Sequence, residues 1–127
     1  MNIRTIREIM STHYAKVTED QALVAAIDIL KKYHQSAIPV VGQNSQLCGI
    51  VSEADCMRAA LVEGYHNQST TLVKDIMVSD TDTISPDTEL SSAMQVFLDR
   101  RRRMMPVVEA GNLVGILTRA DILEALV

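Results

Sequence analysis

The chain has 127 residues, 47% of them hydrophobic and 22% charged, with only 5 Gly and 3 Pro, which excludes a disordered chain and suits one compact domain. A net charge of −4 excludes a general nucleic-acid binder, which carries a basic surplus. No uninterrupted apolar run approaches membrane length, and the opening Met-Asn-Ile-Arg-Thr-Ile-Arg has no apolar h-region, so no membrane partner is expected and the expected location is cytoplasmic.

Taken in chain order, an opening turn at Thr5–Met10 leads into a β-prone stretch, Ala15–Thr18. Leu23, Ala26, Ile27 and Leu30 follow at the i, i+3, i+4, i+7 spacing of an amphipathic helix. Two short apolar runs, Ala37–Val41 and Leu47–Val51, flank the polar turn Gly42-Gln43-Asn44-Ser45 and predict a hairpin. A helix over Ala54–Glu63 closes this stretch, and the polar residues from Gly64 to Thr71 read as a linker. The order then starts again: a turn at Leu72–Met77, an extended Thr81–Ile84, and a helix with Leu90, Ala93, Met94 and Phe97 on one face. Ser85 is the expected N-cap of that helix, with Pro86 at its first position. Runs at Met104–Val108 and Leu113–Leu117 surround Glu109-Ala110-Gly111-Asn112, and a helix over Ala120–Leu126 ends the chain.

The second pass repeats the first. Ile9-Met10 returns as Ile76-Met77 and Pro39-Val40-Val41 as Pro106-Val107-Val108. Beyond the turn, Leu47, Gly49, Ile50, Ala54 and Asp55 return as Leu113, Gly115, Ile116, Ala120 and Asp121. The fold class expected is α/β (α+β), two βαββα copies packed about a pseudo-twofold axis. Residues 1–63 form the first copy, 64–72 the linker and 73–127 the second. Each half alone would be marginal, so together they make one domain.

The strand-to-helix junction of each copy carries Gly-x-x-Ser/Thr-x-x-Asp: Gly49, Ser52 and Asp55, then Gly115, Thr118 and Asp121. Ser or Thr followed three residues later by an acid is a helix-capping signature. The same geometry suits a nucleotide, because a helix start offers free N–H groups to phosphate and a carboxylate can accept from ribose hydroxyls. Arg100-Arg101-Arg102-Arg103 is read as a solvated helix end, or as a source of phosphate contacts through Arg102 or Arg103. Cys48 and Cys56 are expected to be buried free thiols. His13, His34 and His66 lie too far apart in sequence to predict a metal site, although His13 could contact a ligand. No P-loop, nucleophile elbow or Cys–His arrangement is present in the sequence, and catalysis by Asp55 or Asp121 lacks a partner nucleophile.

Ile-Met near the start, an amphipathic helix, small-apolar-Pro-Val-Val, a polar turn and Leu-x-Gly-Ile-x-Ser/Thr-x-x-Asp together resemble the CBS motif, named for cystathionine β-synthase. Both copies carry it in full, so the chain resembles a tandem CBS pair, or Bateman module. The resemblance implies a non-enzymatic ligand sensor. It would bind an adenosine-containing small molecule (AMP, ADP, ATP or S-adenosylmethionine) in clefts between the motifs, require no cofactor and hold no metal. One cleft would combine Thr118 and Asp121 with Ser11–Lys16 and with Ser36, Ala37 and Ile38. The other would combine Ser52 and Asp55 with Val78–Thr83 and with Arg103, Met104 and Met105, Met104 narrowing the base pocket. The family also implies a homodimer, expected here on Met57, Leu61 and Val62 against Ile122, Leu123 and Leu126. The chain is expected to act as a stand-alone regulator that passes its change of state to a separate effector protein. The alternative is a structural or dimerisation module with vacant clefts.

Overall fold

A computed structural model describes residues 4–64 and 70–127. Its elements in chain order are α1 (Ile6–Ile9), β1 (Val17–Thr18), α2 (Leu23–Lys32), β2 (Ala37–Val41), β3 (Leu47–Ser52), α3 (Glu53–Glu63), α4 (Val73–Ile76), α5 (Leu90–Arg100), β4 (Met104–Glu109), β5 (Asn112–Thr118) and α6 (Arg119–Ala125). They fall into two compact units. One comprises residues 15–81; the other joins residues 4–14 to 82–127.

In the unit of residues 15–81, β1 runs parallel to β2 and β2 antiparallel to β3, with Pro39 opposite Ile50. Leu23, Ala26 and Leu30 are the buried face of α2, as their spacing predicts, while Ile27 is half-buried. Ala26 and Leu30 pack with Val17, Ile38, Val40, Val51 and Val73 into an aliphatic core. The other unit repeats the plan. β4 and β5 pair antiparallel with Pro106 opposite Ile116, and Ile84 alone makes the parallel bridge, to Val107, that β1 makes in the first. Its core is Ile6, Ile84, Leu90, Ala93, Phe97, Met105, Val107, Leu117 and Ile122. The hairpin turn there places Ala110 and Gly111 at φ 53 and 81, both left-handed as a two-residue type I′ turn requires.

The helix ends also match. His34 and Arg101 take the left-handed conformation, φ 53 and 54. The following amides, Gln35 N and Arg102 N, donate back to Leu30 O and Phe97 O at 3.1 and 3.0 Å, which satisfies carbonyls the helix would leave bare. Lys31, Lys32 and Arg100 in the last turns complement the negative dipole end.

The helix over Leu90 begins later than the sequence suggests. Ser85 does not cap it: Ser85 Oγ accepts from Asp87 N at 3.2 Å and Ser85 O from Thr88 N, closing a separate turn, and the helix starts at Leu90. The competing demand is visible. Pro86 O and Thr88 O accept from Arg7 N and Ile6 N, and Arg4 O accepts from Leu90 N at 2.9 Å. The opening segment of the chain therefore supplies the cap that a side chain would otherwise provide. In the other unit Thr71 O accepts from Leu23 N at 2.7 Å, and Gln21 O and Glu19 O from Val73 N and Lys74 N. Thr71 and Leu72, at the end of the expected linker, are thus bound into the fold, whereas residues 65–69 of that linker lie outside the described residues.

Each opening segment then crosses the strand of the other repeat at its motif glycine. Ser11 and Ile116 exchange two backbone hydrogen bonds at 2.9 and 3.0 Å, and Val78 and Ile50 two at 2.9 Å. A Cβ at Gly49 would stand 2.6 Å from Val78 O, and one at Gly115 2.9 Å from Ser11 O. Only glycine lets the two backbones approach this closely. Gly49→Ala and Gly115→Ala should each destabilise the protein by about 1–3 kcal/mol, the usual cost of forcing volume into a packed site. Urea unfolding reads this as a lower midpoint, and an unchanged midpoint would show the crossing to be slack.

Candidate functional site

The two Ser/Thr-x-x-Asp segments fold alike because β3 and β5 run directly into α3 and α6. Ser52 and Thr118 are the N-caps, with extended backbones at φ −115 and −117. Ser52 Oγ accepts from Asp55 N at 3.1 Å, and Asp55 Oδ2 accepts from Ser52 N at 2.9 Å. Thr118 Oγ1 and Asp121 Oδ2 form the same reciprocal box at 3.1 and 2.9 Å.

Around the first box lie several of the expected site residues. Ala37 pairs with Ser52, Ile38 with Val51, and Ser36 O accepts from Glu53 N at 2.9 Å. Val78, bridged to Ile50, and Lys16, next to β1, belong to the same unit. Around the second box, Met104 pairs with Thr118, Arg103 O accepts from Arg119 N at 3.1 Å, and Ser11 is bridged to Ile116 two residues before Thr118. Met105 and the exposed Thr83 share that unit. Thr118 and Asp121 thus belong to one unit and Ser36, Ala37 and Ile38 to the other, while Ser52 and Asp55 belong to the latter and Arg103, Met104 and Met105 to the former. Ile38 and Met105 bury their side chains in the cores and leave only backbone to offer a ligand.

The two boxes differ in what they leave unused. Asp55 is buried, its Oδ2 also accepts the Ser52 hydroxyl at 2.8 Å, and its Oδ1 accepts from Arg58 Nη2 at 2.6 Å. Both oxygens and the hydroxyl proton are engaged. Asp121 is half-buried, and among the described residues its Oδ1 has no partner and the Thr118 hydroxyl donates to no acceptor. The Arg58 contact went unread in the sequence, although its i, i+3 spacing from Asp55 was the available signal.

The arginine run is divided. Arg100 and Arg102 both clasp Asp82, at 2.7 and 2.6 Å, so Arg102 is an internal tie. Desolvation would raise the Asp82 carboxyl, but hydrogen bonds from Arg102 and Arg100 outweigh it and hold the group below its ordinary value. Arg119 Nε donates to Arg102 O at 2.6 Å, bracing the start of α6 against the run. Arg103 is exposed, with no side-chain partner among the described residues.

A model of the CBS domain family matches residues 6–62 and 73–127. The chain belongs to the CBS domain family. It is 32% identical over 114 residues to the mitochondrial CBS domain-containing protein CBSX3 of Arabidopsis thaliana, covering 87% of this chain and 55% of that protein. The chain therefore spans about half the length of CBSX3. It is 29% identical over 118 residues to the CBS domain-containing protein YhcV of Bacillus subtilis, covering 93% of this chain and 82% of YhcV. The structure of CBSX2 in complex with AMP superposes with a TM-score of 0.84 at 26% identity, covering 96% of this chain and 95% of that one; CBSX2 is an Arabidopsis thaliana CBS-pair protein. This chain thus has the CBS-pair fold, mixed helix and strand built on small sheets. Among the described residues no helix is long and apolar enough to cross a membrane.

Cys48 and Cys56 are free thiols, half-buried rather than buried. Desolvation, with a hydrogen bond and the charge of Glu19, pushes Cys48 up to about 11, and desolvation with the nearby Asp55 and Glu53 also raises Cys56. The thiolate is the nucleophile, so at pH 8 iodoacetamide should alkylate Cys48 roughly 100-fold more slowly than an ordinary cysteine. Mass spectrometry of the folded protein checks this, and rapid labelling would show that Cys48 is not shielded.

Proposed function

We propose that this CBS pair is a non-enzymatic regulatory sensor that binds an adenosine-containing nucleotide, with AMP as the first candidate. The observation that carries the reading is the unused pair at the second CBS motif: the Asp121 Oδ1 lone pairs and the Thr118 hydroxyl, side by side at one strand end. Ribose hydroxyls donate well to a carboxylate, and a threonine hydroxyl can donate to phosphate. Arg103, exposed and following the Asp82 tie, supplies cationic charge on the same unit. The AMP complex of CBSX2 supports the choice of ligand class. Ligand would act by binding one arrangement of the protein better than another, and the shift would be read by a separate effector.

Asp121→Asn keeps an oxygen for the Thr118 amide but removes the charge. It should weaken AMP binding by tenfold or more in calorimetry, since a hydrogen bond to a charged group contributes about 1.5–3 kcal/mol. Its unfolding midpoint without ligand should fall little, because losing a whole N-cap costs only about 0.5–2 kcal/mol. Undiminished AMP binding would reduce Asp121 to a capping residue.

The apolar residues of the terminal helices favour self-association. Met57, Leu61 and Val62 are 64, 77 and 84% exposed on or beside α3, and Leu123 and Leu126 are 64 and 56% exposed at α6. Ile122, expected among them, is instead a core residue, because it is on the face of α6 that packs against Phe97 and Met105. Burying such side chains is worth about 25 cal/mol per Å² of apolar surface, so a homodimer through these helices is the expected state. Light scattering at micromolar concentration should give twice the chain mass, and Leu61→Glu with Leu123→Glu should return it to the monomer.

A further inference from the structure

We propose that Arg58 is a built-in competitor for the first CBS motif, holding the Asp55 carboxylate against ligand so that the two motif carboxylates are unequal in affinity. The inference rests on the reading that these carboxylates receive ribose. The structure supplies three separate observations. Arg58 Nη2 donates to Asp55 Oδ1 at 2.6 Å, the oxygen the capping box does not use. The Ser52 hydroxyl also donates inward, to Asp55 Oδ2, so the first box has no uncommitted group facing a ligand. At the position of Arg58 in the second repeat stands Glu124, an exposed acid that cannot clamp Asp121.

The geometry makes the clamp reversible rather than permanent. The Arg58 side chain is 67% exposed while its partner carboxylate is 8% exposed. Swinging the guanidinium into water therefore unblocks a carboxylate that itself stays in place, held by Ser52 N. The exposed guanidinium is screened by salt and regains water when it swings away, so ribose hydroxyls can displace it at a modest penalty. Asp121, with no such competitor, is filled first, and Asp55 only at higher ligand concentration. The chain would then answer ligand over a wider concentration range than two equal sites allow.

Calorimetry with adenosine and with AMP tests this on the full chain. In an Asp121→Ala background, which leaves Asp55 as the sole motif carboxylate, Arg58→Gln should tighten both ligands by about two- to fivefold, as for an ion pair whose cation is exposed to water. Adding Asp55→Asn should cancel the gain, since the clamp then has no carboxylate to release. Glu124→Arg in the parent protein should build the missing clamp and weaken the tighter site by a similar factor, and it reads the idea even if the double variant fails to fold. Unchanged affinities after Arg58→Gln, in a parent that does bind, overturn the clamp and leave the proposed function standing. Weaker AMP binding with adenosine unchanged also overturns it, by showing Arg58 to be a phosphate ligand. A parent that binds neither adenosine nor AMP overturns both readings together.

Discussion

The close crossing of backbones at Gly49 and Gly115 is the constraint on which the other features depend. At each, the opening segment of one sequence repeat lies across the last strand of the other, near enough that a Cβ would meet a carbonyl oxygen. That crossing lets Met10 and Met77 pack against the cores, and it brings Ser11 and Val78 to within two residues of Thr118 and Ser52. It also explains why α2 and α5 have no side-chain N-cap. Backbone carbonyls of the exchanged segments accept from their first amides instead, so the segments are structural members and not tethers.

Capping and ligand recognition draw on the same few atoms. A reciprocal box uses one oxygen of the acid and one lone pair of the hydroxyl, leaving a second carboxylate oxygen and a hydroxyl proton. Whether these remain available is decided by neighbours one helical turn further on. In the first repeat Arg58 takes the oxygen and the hydroxyl proton turns inward; in the second neither has a partner among the described residues. Two motifs of the same pattern thus present different chemistry. Similar selectivity governs the arginine run, where Asp82 binds Arg100 and Arg102 and leaves Arg103 without a side-chain partner among the described residues.

Much was legible in the sequence because it is local. Helical spacing put Leu23, Ala26 and Leu30 on one buried face, and short apolar runs around polar turns placed both hairpins within a residue of their observed bounds. The internal repeat and the Ser/Thr-x-x-Asp spacing led to the family, and the capping geometry followed from residue type alone. Such features depend on backbone periodicity and on partners three or four residues apart.

What only the tertiary structure decided involves partners far away in the chain. Ser85 reads as an N-cap, yet the carbonyls around it are claimed by Ile6 and Arg7, some eighty residues earlier. Ile122 reads as one more exposed apolar residue of a terminal helix, but the contacts of α6 turn it into the core. The compact units differ from the sequence repeats because residues 4–14 complete the second and residues 70–81 the first. A sequence period records which residues resemble one another. Which of them pack together is set by where the chain can satisfy its backbone hydrogen bonds and fill its cores, and that is a property of the whole fold.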